Sequence, residues 1–115
     1  MSALGQRIST TRNSEEMRVI EVDEWGENDV PLTLYYGTVS GADVNRVQRK
    51  HKDFLANPTL DSMVEMILIK CKDSAGDPAF DLEDKPILMR EPIGIIAKVF
   101  GSVFEAVTAE EQEKN

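Results

Sequence analysis

The stretch Met17–Val39, MRVIEVDEWGENDVPLTLYYGTV, decides the fold class. Met17, Val19 and Val22 recur near the period of a strand, GEND (26–29) supplies turn residues, and Leu32, Leu34 and Tyr36 alternate again. The pattern predicts one β-hairpin. Pro31 has no N–H to give to a ladder, so the second strand starts there or runs along a sheet edge. A lone hairpin is marginal in water and must lean on helices or on a neighbouring subunit.

Helical signals follow the hairpin. Ser40 and Asp43 fit a capping box in its acidic variant, and Val44, Val47, His51 and Phe54 or Leu55 then fall at helical spacing, predicting a helix to about Ala56. Asn57 as N-cap and Pro58 as first helical residue predict a second helix, with Leu60, Met63, Val64, Ile67, Leu68 and Cys71 on one face. Met66 and Ile69 lie off that stripe. KPILMREP (85–92) reads as a short helical turn that stops before Pro92, which then opens the last helix. The expectation is an α+β, mainly α chain: an N-terminal β-hairpin, three main helices and a short helical turn. Residues 1–16, rich in Ser, Thr, Arg and Asn, are expected to be a mobile arm. Residues 17–115 form a single small domain with a frayed polar end, AEEQEKN.

Composition narrows the function classes. With 115 residues, 41% hydrophobic and 30% charged, the chain can bury one core without cross-links. A net charge of −8 opposes the phosphate contacts on which nucleic-acid binding depends. The opening residues lack the apolar run of a secretion signal, and no segment is long and uncharged enough for a bilayer. Cys71 is the only cysteine, so a reducing, intracellular setting and a core role are expected.

The sequence offers few candidates for chemistry. The segment Asp73–Asp84, DSAGDPAFDLED, resembles a calcium loop in acidity alone, because proline occupies the position that needs a left-handed glycine and aspartate replaces the terminal glutamate. It fits a connector better, with a turn around Gly76, Phe80 as an anchor, and Asp81 or Asp84 capping the next helical turn. His51 is the only histidine and has no evident partner for a metal site or a nucleophilic dyad. No Ser–His–acid set and no glycine-rich phosphate loop can be assembled, so the chain is expected not to be an enzyme and to need no metal or cofactor.

The last helix is the strongest signal. Ile93, Ile95, Ile96, Val99, Phe100, Val103, Phe104 and Val107 nearly encircle it, with Gly94 and Gly101 two turns apart. Either it is the central helix of the fold, or part of it contacts another polypeptide. The candidate partner-binding residues are Ile93, Ile96, Val99, Phe100, Val103 and Phe104, with Met66 and Ile69 of the preceding helix. The basic cluster Arg46, Arg49, Lys50 and Lys52 is either a solvated helix face or, through Arg46, Arg49 and Lys50, a self-association surface that meets acids on another copy.

The order of these elements, with GDPAF and LEDKPILMREP between two apolar helices, resembles the tail assembly chaperones of long-tailed (siphovirus, lambda-like) bacteriophages. The resemblance spans about Val19 to Val107. It implies a chaperone of virion assembly, in the host cell cytoplasm and absent from the mature virion, that binds the tape measure protein, keeps it soluble and helps recruit tail tube protein. It also implies self-association into oligomers or an open spiral, and a longer form, made by ribosomal frameshifting, that reaches the major tail protein. Glu113, Lys114 and Asn115 can be encoded by the slippery run A-AAA-AAC; a gene using AAG for Lys114 removes that support. The alternative in a different class is a structural tail or head–tail connector component retained in the virion. A third is a metal-regulated switch built on Asp73–Asp84.

Overall fold

A computed structural model describes the backbone of residues 2–114 and the side chains of residues 2–104. The chain is α+β and mainly α. In order it contains α1 (Ala3–Asn13), β1 (Arg18–Glu27), β2 (Val30–Tyr36), α2 (Gly41–Gln48), α3 (Leu60–Lys70), a 3-10 turn (Leu82–Asp84), α4 (Lys85–Leu88) and α5 (Ile93–Lys114). Val107 and the polar end expected to fray carry side chains outside the described ones, as does Asn115.

The hairpin forms as expected, with a different inward face. Ile20 pairs with Leu34 and Val22 with Leu32, so these side chains share one face with Tyr36; Val22, Leu34 and Tyr36 are buried. Val19 and Met17 lie outside, 54% and 42% exposed, so the predicted inward set is corrected to Ile20 and Val22. The two-residue turn holds Asn28 at φ 52° and Asp29 at φ 64°, the left-handed pair that small polar residues tolerate in a tight hairpin. A register shift between Val22 and Glu27 breaks the alternation and leaves Trp25 half-buried. Gly26 is required there, because a Cβ would lie 2.0 Å from the Val30 carbonyl oxygen.

What the hairpin leans on is α3, α5 and the connector. Lys72 exchanges backbone hydrogen bonds with Tyr35 (2.9 and 2.7 Å), and the Cys71 carbonyl accepts from Ala79 N–H at 3.0 Å. The Trp25 indole N–H donates to Glu91, and its ring stands edge-on to Phe80 at 5.9 Å, the anchoring expected of that residue. The connector turns at Gly76, φ +87°, while the Asp73 carboxylate accepts from Ala75 N–H (2.9 Å) and Asp77 N–H (3.1 Å). Asp84 then accepts from Asp81 N–H at 2.9 Å to start the 3-10 turn.

Helix boundaries depart from expectation at two points. The Ser40–Asp43 capping box is present, at 3.1 and 2.9 Å, but α2 ends at Gln48 rather than near Ala56. Val47 O takes N–H bonds from both Lys50 and His51, the chain tightens into turns, and Phe54 enters the core at 2% exposure. Helix α3 is capped by Thr59 and starts at Leu60, two residues beyond the expected Asn57 cap and Pro58 start. The Thr59 hydroxyl accepts from Ser62 N–H (3.2 Å), and the Ser62 hydroxyl accepts from Thr59 N–H (2.8 Å). The arm holds a further helix, α1, capped by Ser2 and without a buried residue. Beyond it Glu15 accepts from Thr38 N–H at 2.9 Å, and that bond, with Arg12 beside it, holds its carboxyl below the usual glutamate range.

The core lies between the hairpin face and the α3–α5 pair. Val64, Met66, Ile67, Leu68 and Cys71 meet Ile96, Val99 and Val103. Phe54 stands edge-on to Phe100 (6.1 Å) and Phe104 (5.5 Å), which stack on each other at 4.8 Å. Burial pushes the Cys71 thiol up to about 12, as befits a core residue.

Candidate functional site

The last helix hides most of what its sequence made conspicuous. Ile96, Val99 and Val103 are buried, as is Met66 on α3; Phe100, Phe104 and Ile69 are partly buried. These side chains form the chain's own core, which corrects the expectation that they offer a face to a partner. The outward side of α5 presents Gly94, Ala97, Lys98 and Gly101 instead. Ile93 alone of the expected set projects strongly, at 65% exposure.

Ile93 does not stand by itself. It lines a shallow cleft of about 40 Å³ with Leu60 from the start of α3 and Met89 after α4, over a floor that includes Ile96 and Leu88. Leu60 is 37% and Met89 43% exposed, so three flexible or branched apolar side chains ring the opening at the N-terminal end of α5. Pro92 sets this geometry. Its carbonyl accepts from Ile95 and Ile96 N–H (3.0 and 3.3 Å), so the helix begins abruptly at Ile93 beside α4.

A second surface unites residues that the sequence left apart. Arg46, Arg49 and Lys50, expected to serve self-association, line one open groove of about 270 Å³ together with Ile69, expected to bind a partner. The groove runs between α2, α3 and the Leu82–Lys85 segment, with Val47, Leu68 and Leu82 completing an apolar floor. An adjoining hollow, reaching Pro78 and Phe80, shares Arg46, Leu68, Ile69 and Leu82 with it.

At the inner end of the groove lies an ionic cluster that sequence reasoning missed. His51 has partners after all. Its Nε2 lies 3.2 Å from Glu65 Oε2 and 3.8 Å from Asp61 Oδ1, acids one helical turn apart on α3. Their i, i+4 spacing ten residues beyond the histidine was the available signal. Among the described residues this is a set that could hold a metal ion. Lys85 Nζ already contacts Asp61 and lies 2.9 Å from Glu65 Oε1, with Lys50 Nζ 3.5 Å from the same oxygen. A divalent ion would therefore meet two ammonium groups, so the cluster fits an internal ion network better than a metal centre. The Lys85 hydrogen bond and charge hold the Asp61 carboxyl below its ordinary range. Burial alone would raise Glu65, but Lys85, Lys50 and His51 outweigh it and keep the carboxylate ionised. Burial would likewise lower Lys85, and its two carboxylate partners raise it.

Arg46 and Arg49 differ from these. No ion pair holds either one among the described residues, and both are exposed. Among the same residues no helix is long and apolar enough to cross a membrane. Comparison with protein families, with curated proteins and with solved structures finds no match to this chain.

Proposed function

We propose that this chain is a tail assembly chaperone of a long-tailed bacteriophage: it binds the tape measure protein in the host cell cytoplasm, keeps it soluble and is released before the virion is complete. The single observation that carries the reading beyond resemblance is the cleft at the start of α5, where Leu60, Met89 and Ile93 remain in water. Full burial of an exposed apolar side chain is worth about 1.5–3 kcal/mol, and covering these three recovers the fraction still in water, which supports weak, reversible capture of apolar segments without any catalytic step. The net charge of −8 keeps loaded complexes apart in solution. Recruitment of the major tail protein would fall to a frameshifted longer form, and self-association into oligomers or an open spiral belongs to the same proposal.

Co-expression with the tape measure protein of the same genome tests it. The expected result is that the long helical protein becomes soluble and co-purifies with this chain, and that purified tails lack the chain. An insoluble tape measure protein would defeat the proposal, and the chain's presence in finished tails would favour a structural tail or connector component.

A further inference from the structure

The groove beside α2 has a different character from the cleft at α5. Its floor is apolar, and its lip carries Leu82, 68% exposed. Arg46, Arg49, Lys50 and Lys85 surround that floor, facing the single carboxylate of Glu65. Lys85 and Glu65 neutralise each other at 2.9 Å, while Lys50 is 74% exposed and only loosely engaged at 3.5 Å. In a chain with 21 acids and 13 Lys and Arg residues, Arg46 of α2 and Arg49 just past its end nevertheless have no ion pair among the described residues. Asp61 holds Lys85 and Asp81 lies in the adjoining hollow, so the positive character of the groove is confined to the side of Arg46 and Arg49, although the whole chain is strongly acidic.

We propose that this groove binds an amphipathic helix of a partner chain whose apolar stripe is flanked by carboxylates. Charge complementarity selects the acids. Arg46 on α2 and Arg49 at its C-cap, three residues apart, match carboxylates spaced three or four residues apart on a helix lying alongside. The apolar stripe covers half-buried Ile69 and exposed Leu82, above the buried Leu68. A helix suits the site better than an extended segment because α2 and α3 already satisfy their own backbone groups. An extended peptide would find no ladder there, whereas a helix brings its own hydrogen bonds. The inference stands on the groove alone and holds whether or not the tape measure protein is the client.

The test uses the full chain and labelled synthetic helices of about 18 residues, roughly five turns. One has a Leu stripe flanked by Glu, a second the same stripe flanked by Lys, and a third Glu flanks with Ser in place of Leu. Fluorescence anisotropy at low and high salt reads the affinities. The Glu-flanked Leu helix is expected to bind at least about ten-fold tighter than either of the others, with the advantage over the Lys-flanked helix shrinking in high salt. Arg46→Glu with Arg49→Glu should reverse the preference between Glu and Lys flanks. Leu82→Ser should weaken the Leu-striped helices alone. All three positions are exposed, so unchanged urea midpoints verify the fold. Equal affinity for the Glu- and Lys-flanked helices, no binding of any helix, or indifference to the arginine reversal would overturn the inference. Self-association of the chain that Arg46→Glu with Arg49→Glu abolishes, with no binding of any helix, would overturn it in favour of a second copy as occupant. If the helices bind and the co-expressed tape measure protein stays insoluble, the chaperone reading fails and the groove assignment stands.

Discussion

The α3–α5 contact and the groove beside α2 draw on the same kinds of apolar residue and end in opposite states. Between α3 and α5, Val64, Met66 and Ile67 meet Ile96, Val99 and Val103 with almost nothing left to solvent. Beside α2, half-buried Ile69 lies at the edge of that same core above buried Leu68, and the element that could close over it, the Leu82–Lys85 segment, leaves an open trough with Leu82 in water. The difference is one of partners rather than of hydrophobicity. An apolar helix is closed when another long helix runs along it, and a short segment such as α4 covers only a few residues. The short elements leave apolar surface open at the start of α5 and under the 3-10 turn, in addition to exposed Leu4 and Ile8 on α1 and Val19 and Val30 on the hairpin.

The sharpest way to break that contrast is to compare a closed position with an open one. Phe54→Ala removes a ring held edge-on by Phe100 and Phe104, and should cost about 3–5 kcal/mol by urea denaturation. Leu82→Ser at the open lip should cost no more than about 0.5 kcal/mol. Similar losses at both sites would erase the distinction.

The hairpin's dependence on its bulge comes next. Gly26→Ala places a methyl group 2.0 Å from the Val30 carbonyl oxygen, a contact that the strand must relieve by moving. A loss of about 1–3 kcal/mol is expected, visible also as a red shift in Trp25 fluorescence as the indole leaves Phe80. A fully native emission spectrum would show that the turn can reshape freely.

The ionic cluster sharpens the comparison through pH. Asp61 and Glu65, with ordinary values of 3.8 and 4.5, are both depressed in the fold. Their contribution is thus complete above those values and is lost as pH falls through the lower folded ones. The stability difference between the parent chain and Glu65→Gln, about 1 kcal/mol after solvent screening, should hold from neutrality to about pH 5 and shrink below. A difference that grows on acidification would contradict the sign. Thr59→Ala at the α3 cap should cost about 1 kcal/mol or less, with the helix retained by circular dichroism.

Much of the architecture was legible because its signals are local. The hairpin turn, the Ser40–Asp43 box and the glycine turn of the connector each depend on a few adjacent residues, and each forms. Tertiary contacts decided much of the rest. Strand alternation puts Val19 on the face opposite Ile20 and Val22, and burial of the latter face chose which turned inward. Helix α2 ends at Gln48 while Phe54 packs in the core. The Thr59–Ser62 box, a local signal that the Asn57–Pro58 reading passes over, sets the start of α3. The candidate site was legible only in fragments. Apolar density along α5 pointed to exposure, but it marked the core, since α3 covers that stripe. The charge imbalance of α2 was the better guide to open surface, and the His51–Asp61–Glu65 meeting required the turn between two helices.

The central claim is that a client is gripped at the start of α5 and not along its length. Ile93→Asp and Ala97→Asp test it most directly, one helical turn apart, in co-purification with the tape measure protein. Ile93 opens the helix, where an acidic residue favours its positive end, so folding should survive. The account predicts that Ile93→Asp loses most of the client while Ala97→Asp retains it. Equal recovery with both, or loss with Ala97→Asp alone, would contradict it.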